Sequence, residues 1–459
     1  MGTPDTPAGP TDAKSGPGLS RTISGRMLFF YVLGDVLGSG IYVLVGLVAG
    51  EVGGAFWAAF GLGAGIAVIT GFAYAELATK FPQAAGAALY VSRAFKNDFF
   101  TFVMMFCMLS ASFAAAGALA LSFGGEYFKQ FLDLPTTLVA VGFIVLLALL
   151  NFRGISESVK ANFVMTLVEV GGLVIVLAVG AAVLFTGEAD LSRPFELQGD
   201  GNPMLMVLGG AALAFFAMTG FENVANVAEE TKHPTKAFPR ALIGGMALAG
   251  LLYVLVAITT SMVVPTSRIA GSESALLEVV AAGPLPVPGQ LFAAIALVAV
   301  TNTALVALVT QSRILYGMAR EGTVPRGFSR VHRGRRTPWV AIAFSAVIVV
   351  ALLVRADVEQ LATVTVVFLI FIYALVCAAA LKLRKEQVEH EHYRAPTALL
   401  VVGIFGNIAL LAYTIYTDPG ALTTCGVLLA IGLVLYVLNR LTQGRLDRSK
   451  RAEEEQPVR

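Results

Sequence analysis

The stretch "YVLGDVLGSGIYVLVGLVAG", residues 31–50, is apolar nearly throughout, yet Gly38-Ser39-Gly40 interrupts it at its centre. A helix this apolar on every face belongs in lipid or in a large core. Glycine costs a helix interior about 1 kcal/mol relative to alanine, so a glycine pair at mid-depth weakens the very element that has to cross. Glycines in membrane helices also let neighbouring helices approach closely, and for this stretch alone that packing reading competes with a functional one.

The rest of the chain decides the setting. Of its 459 residues, 57% are hydrophobic and 14% charged, where a soluble domain carries about 25% charged residues. Apolar runs of roughly 18 residues or more recur along its length, each able to cross about 30 Å of hydrocarbon as a helix. Read between polar or Pro/Gly breaks, they give twelve spans, near 27–49, 55–78, 99–123, 136–152, 161–186, 204–228, 241–264, 287–312, 338–354, 359–381, 397–416 and 421–439. The fold class is an all-α polytopic membrane protein. Residues 1–25, rich in Gly, Pro, Ser and Thr, cannot bury enough apolar surface to order, and 441–459 form a charged tail. The first apolar run continues as a full span with no small-residue cleavage site behind it, so it does not read as a removable signal peptide.

An even number of spans puts both termini on one side, and the basic residues say which. Loops on the terminal side hold Lys80, Arg93, Lys96, Arg153, Lys160, Lys232, Lys236, Arg240, the run from Arg313 to Arg336, and Lys382 to Arg394. The other side holds Lys129, Arg193, Arg268 and Arg355. Both termini are therefore expected in the cytoplasm, and the same bias accounts for the basic "RGRRTP" at 333–338. Cys107, Cys377 and Cys425 have neither metal-ligand nor redox spacing. The histidines, His233, His332, His390 and His392, fall in the cytoplasmic loops. No catalytic triad, metal-ligand cluster or phosphate loop is visible, which argues against an enzyme and predicts neither cofactor nor metal.

The sixth span, "MLMVLGGAALAFFAMTGFENVANVAEE", carries a second weak point at Ala217-Met218-Thr219-Gly220, followed by the acid Glu222. Interrupted segments at matching positions of two halves point to an inverted-repeat transporter with its site at the bilayer midplane. Backbone groups freed in lipid must face a cavity or ligand. Amides at a half-helix N-terminus suit a carboxylate and free carbonyls suit an ammonium, which together describe a receptor for a zwitterion such as an amino acid.

"GDVLGSGIYVLVGLVAGEVGG" resembles the first-helix signature of the amino acid–polyamine–organocation superfamily, in which glycine, a small hydroxyl residue, glycine, isoleucine and an aromatic follow one another. "FFAMTGFENVANVAEETKHPTKAFPRAL" is similar to that family's sixth helix and following loop, and "AYAELATKFPQAAGAALYV" to its second helix and the re-entrant loop behind it. The resemblance runs over roughly residues 25 to 440 and is strongest in helices one and six. It implies a leucine-transporter-like 5+5 inverted repeat: 26–186 as the first repeat, 204–382 as the second, and 396–440 as two added helices, within a domain of 26–440. It also implies substrate contacts at Gly38, Ser39, Gly40 and Ile41, and at Phe216, Ala217, Met218 and Gly220, with Phe216 as an aromatic lid.

Ionisable groups within a membrane are functional candidates by default. Glu222, with Asn223 and Asn226 nearby, reads either as a proton acceptor linked to substrate or as an anchor for the broken helix. Glu169 takes the place where several relatives carry a lysine; a carboxylate there is able to carry a proton, pair with a cation or bind a metal ion. Lys160 reads as an interfacial anchor. Helix eight offers Thr301, Asn302 and Thr303 as oxygen ligands for a coupling ion. Glu76, four residues before Lys80, is a gate candidate, and Glu229 and Glu230 read as a solvated helix end. The loop "GGEYFKQFLDLPTT" has no cysteine, so a disulfide-linked subunit is not expected. The expectation is a secondary transporter of amino acids in the plasma or bacterial inner membrane. It works by alternating access with a proton as coupling ion, and its partners are the small molecule and lipid, with no nucleic acid. Transport of amines or polyamines, exchange without net coupling, and a non-transporting nutrient sensor are the alternatives. The short termini leave no room for a signalling domain.

Overall fold

The computed structural model describes residues 23–82, 86–154, 159–199, 201–228 and 231–454. The reading of residues 1–22 as a disordered tail, and that of Glu229 and Glu230 as a helix end, lie outside the described residues. Among those described, the regular structure is helical apart from one bridge between Ile23 and Thr231.

Ser24 opens α1 (Gly25–Leu37) by accepting the Met27 N–H at 3.3 Å, and α2 (Gly40–Val52) continues after Gly38 and Ser39 with a 43° bend. Next come α3 (Phe56–Lys80), a short α4 (Gly86–Phe95) and α5 (Asp98–Gly124), the last capped by Asn97 through the Phe100 N–H. A single turn, α6 (Glu126–Lys129), precedes α7 (Thr136–Phe152) and α8 (Val159–Thr186). Asn202 caps α9 (Pro203–Ala217), which gives way to a 3₁₀ stretch over Phe221–Val227. After it run α10 (Pro234–Val263), the short α11 (Thr266–Ile269) and α12 (Ala275–Ala282), α13 (Gly289–Arg320) and α14 (Trp339–Leu353). Asp357 caps α15 (Val358–Leu383), and α16 (Thr397–Thr417) and α17 (Pro419–Glu454) close the chain.

Eight helices are long and apolar enough to cross a membrane, and α1 with α2 adds a ninth if the bent pair is one span. α7, α9 and α14 are apolar but shorter. Leucines such as Leu138 and Leu149 stand exposed on outer faces, as lipid-facing positions should. The protein is an integral membrane protein of helical type.

The helices follow the expected spans closely, with two informative differences. α10 begins at Pro234 rather than near 241, because a proline in the first turn lacks an N–H where no intrahelical acceptor exists anyway. α17 runs on to Glu454, well past the last apolar residue, so the charged segment continues a helix.

Packing places the two interrupted segments at the centre. α1 lies against α10, α2 against α9, and α3 against both α9 and α10. α5 packs on α13 and α15, and α8 on α13. α16 and α17 bury least of their surface and sit at the periphery.

Candidate functional site

The two interruptions face each other. A Cβ built on Gly40 would come within 2.5 Å of the Ala217 Cα, so at this crossing only glycine lets the second half-helix touch the end of α9. Gly38 is packed on Thr303, whose hydroxyl would sit 2.9 Å from a Cβ there. That hydroxyl accepts the Ser39 N–H at 3.1 Å and itself donates to the Ala299 carbonyl at 3.1 Å. The N–H groups of Gly40 and Ile41, first in α2, lie where an α-helix has no acceptor of its own.

The second break is held differently. The Met218 N–H donates to Phe215 O at 3.0 Å, and Phe216 O accepts both the Thr219 N–H at 3.1 Å and the Thr219 hydroxyl at 2.7 Å. Gly220 has φ +112°, open to glycine and strained for any other residue. Its N–H donates to the Glu222 carboxylate at 2.9 Å, and the Tyr373 hydroxyl donates to the same oxygen at 2.6 Å. The buried Tyr253 hydroxyl links both breaks, donating to Val36 O at 2.6 Å with Ala217 O at 3.1 Å. Carbonyls that the breaks would otherwise strand in an apolar interior are thus partly satisfied from α10.

Between the breaks lies a cavity of about 110 Å³. Of the residues expected to touch substrate, Gly38, Ser39, Gly40, Phe216, Ala217 and Gly220 line it. Ile41 and Met218 are fully buried in the surrounding core instead. Asn302 and Thr303 line it from α13, whereas Thr301 turns away and donates to Leu297 O in its own helix. Asp35, from the last turn of α1, joins the lining. A second cavity of about 530 Å³ shares Asn223 and Thr310 with the first, and it is lined further on by Glu222, Arg313 and Glu321. The interior site therefore adjoins a wider space on the side of Arg313 and Glu321.

Glu169 is fully buried outside the cavity and reaches it through Asn302, whose amide donates to its carboxylate at 3.2 Å. Its backbone carbonyl accepts the Tyr42 hydroxyl. Glu76 sits apart from the cavity. Its partner is Arg384, not Lys80: the guanidinium meets both carboxylate oxygens at 2.9 and 2.8 Å, and the Ala395 N–H donates a third bond at 2.9 Å. Lys80 reaches across to Leu383 O at 2.7 Å.

Two features of the site escape the sequence reading. Asp35 carries the same signal as Glu169, an acid inside an apolar run, and stands in plain view three residues before Gly38. Tyr253 and Tyr373 carry no local signal, since amphipathic tyrosines are common in apolar helices and their partners lie far away in the chain.

Known proteins extend this picture. A model of the amino acid permease family matches residues 23–437. A branched-chain amino acid permease of Bacillus subtilis is 28% identical over 94% of this chain and 95% of its own length. The methylthioribose transporter of the same organism is 25% identical over 92% and 93%. A chloroplastic cationic amino acid transporter of Arabidopsis thaliana is 30% identical over 69% of this chain and 58% of its own length.

Proposed function

Because this chain belongs to the amino acid permease family, it is a membrane transporter rather than an enzyme, and we propose that it carries an amino acid through the cavity between its two broken helices by alternating access. The observation that carries the proposal is the meeting of Gly40 with Ala217, which brings the two breaks together around one small space. The substrate carboxylate is received by the amides around Ser39, Gly40 and Ile41 at the start of α2, where the helix dipole favours an anion. Its ammonium faces the end of α9, and Phe216 covers the side.

We read twelve spans: the bent α1–α2 pair, then α3, α5, α7 and α8, then α9 with its 3₁₀ continuation, α10, α13, α14 and α15, then α16 and α17. Three packing relations support the 5+5 repeat. Exchanging spans five apart turns the contact of α1 with α10 into that of α9 with α3. The contacts of α3 with α10 and of α5 with α13 map onto themselves. The basic-loop bias supports cytoplasmic termini in a plasma or bacterial inner membrane, so the wider cavity at Arg313 opens to the cytoplasm.

Proton coupling through Glu222 is supported by its position. The carboxylate joins the second break to α15 through Gly220 and Tyr373, so a change in its charge acts on both. Counterflow in proteoliposomes tests the function, using labelled leucine and arginine with and without an inward proton gradient. Accelerated uptake of either into preloaded vesicles supports transport. Binding of both without counterflow overturns it in favour of a sensor.

A further inference from the structure

We infer that Asp35 is the residue that receives the substrate's ammonium, so that the cavity selects for a cationic amine head and takes simple primary amines as well as amino acids. The inference rests on the proposed site and deepens it.

The carbonyls at the end of α9 are poorly placed to do this alone. Phe216 O already accepts two hydrogen bonds from Thr219, which fills both of its lone pairs. Ala217 O and Val36 O both face the Tyr253 hydroxyl. Asp35, in contrast, lines the cavity. Its Cγ would lie 3.6 Å from a Cβ on Gly220, which puts the carboxyl group directly against the second break.

The placement is unfavourable for an ion on two counts. An acid within the membrane is costly, and Asp35 sits in the last turn of α1, where the negative end of the helix dipole repels a carboxylate. Glu222, on the far side of Gly220, adds to the negative character of this end. No Lys, Arg or His lines the cavity to offset it. A ligand ammonium is the chemistry that answers such a site, and the amides of α2 supply the opposite pole for a carboxylate. The two poles orient a zwitterion, and the acidic one binds an amine without the other.

The test compares wild type, Asp35→Asn, Asp35→Glu and Gly40→Leu in proteoliposomes. Uptake of labelled leucine and arginine is measured against two competitors with the leucine side chain, 3-methylbutylamine and 4-methylpentanoate. The inference expects the amine to compete in wild type far better than the acid. Asp35→Asn should raise KM by about 30-fold or more, the effect of truncating one partner of a desolvated charge pair, and should remove competition by the amine. Asp35→Glu should restore part of both. A structural role for Asp35 would lower the amount of active protein and leave the ratio of amine to amino acid affinity unchanged, which overturns the inference. If Asp35→Asn does not fold, better competition by the acid than by the amine in wild type overturns it equally. Unchanged KM in Asp35→Asn, with uptake abolished in Gly40→Leu, removes Asp35 and leaves the site standing. Normal uptake by Gly40→Leu removes the site itself, and wild type moving neither probe removes the transport reading and this inference with it.

Discussion

Arg384, just past the end of α15, grips Glu76 of α3 with both prongs of its guanidinium, at 2.9 and 2.8 Å, and the Glu76 side chain is only 1% exposed. The pair closes the space between two spans at the terminal-side ends, and the ion pair pushes the Arg384 guanidinium above its ordinary value. A buried pair contributes little relative to apolar side chains of equal size, but removing one partner strands the other, at about 3–5 kcal/mol. Glu76→Ala should therefore lower the melting temperature sharply, while the double variant Glu76→Leu with Arg384→Met recovers most of the loss. Lys80→Met should stay close to wild type, because Lys80 contacts Leu383 rather than Glu76. Melting curves in detergent check all three. Equal losses in Lys80→Met and Glu76→Ala would show that Arg384 is not the partner that counts.

At Gly40 the addition of one methyl group is enough to test the crossing. Its Cβ would lie 2.5 Å from a backbone atom of Ala217, and backbone cannot swing aside as a side-chain tip does. Gly40→Ala should push the two breaks apart by a few tenths of an ångström or more. We expect stability to fall by about 1–3 kcal/mol, as overpacking does, and uptake to fall by on the order of 100-fold, since small misplacements at a site are amplified. Surface labelling separates failure to insert from failure to transport.

Both breaks are legible in the sequence because glycine in an apolar run is a local signal, and the acids Glu169, Glu222 and Asp35 are legible for the same reason. What completes the site is not local. Tyr253 reaches carbonyls 36 and 217 positions away, and Arg384 reaches Glu76 across 308. Spacing along a helix nominates Lys80, four residues from Glu76, since i,i+4 neighbours share a face. Tertiary packing overrides it by offering a guanidinium that matches both carboxylate oxygens. Ile41 and Met218 show the complementary limit: pattern marks a segment as part of the break, but only the packed fold decides which side chains turn toward the cavity and which toward the core.

Glu273, in the loop between α11 and α12, offers a pH dependence on the opposite face from Arg384. Burial raises its carboxyl above the ordinary value, Asp357 and Glu126 add to the rise, and Lys129 opposes it. The folded protein thus holds this proton more tightly than the unfolded chain does. Stability conferred by the group is present at low pH and is lost as pH climbs from about 4.3, the ordinary glutamate value, through the raised one. Glu273→Gln should remove that slope and raise the melting temperature at neutral pH. The difference between wild-type and variant melting curves across this window isolates it, and a difference independent of pH would rule the linkage out.

Glu222 accepts two hydrogen bonds at one oxygen, from the Gly220 N–H and from Tyr373. Glutamine preserves an acceptor oxygen there but cannot change charge, so it separates anchoring from proton linkage. If Glu222 couples transport to protons, Glu222→Gln should keep counterflow, which needs no net proton movement, and lose stimulation by an inward proton gradient. Glu222→Ala should lose both, because the Gly220 amide and the Tyr373 hydroxyl are left without their acceptor, at about 1–3 kcal/mol for each stranded group. Tyr373→Phe should fall between them, retaining the Gly220 bond while freeing the carboxylate from α15. The decisive measurement is uptake driven by a proton gradient set beside counterflow in the same vesicles. Gradient-stimulated uptake surviving in Glu222→Gln would assign the residue to holding the broken helix in shape, and would move the search for the proton to Glu169 and Asn302.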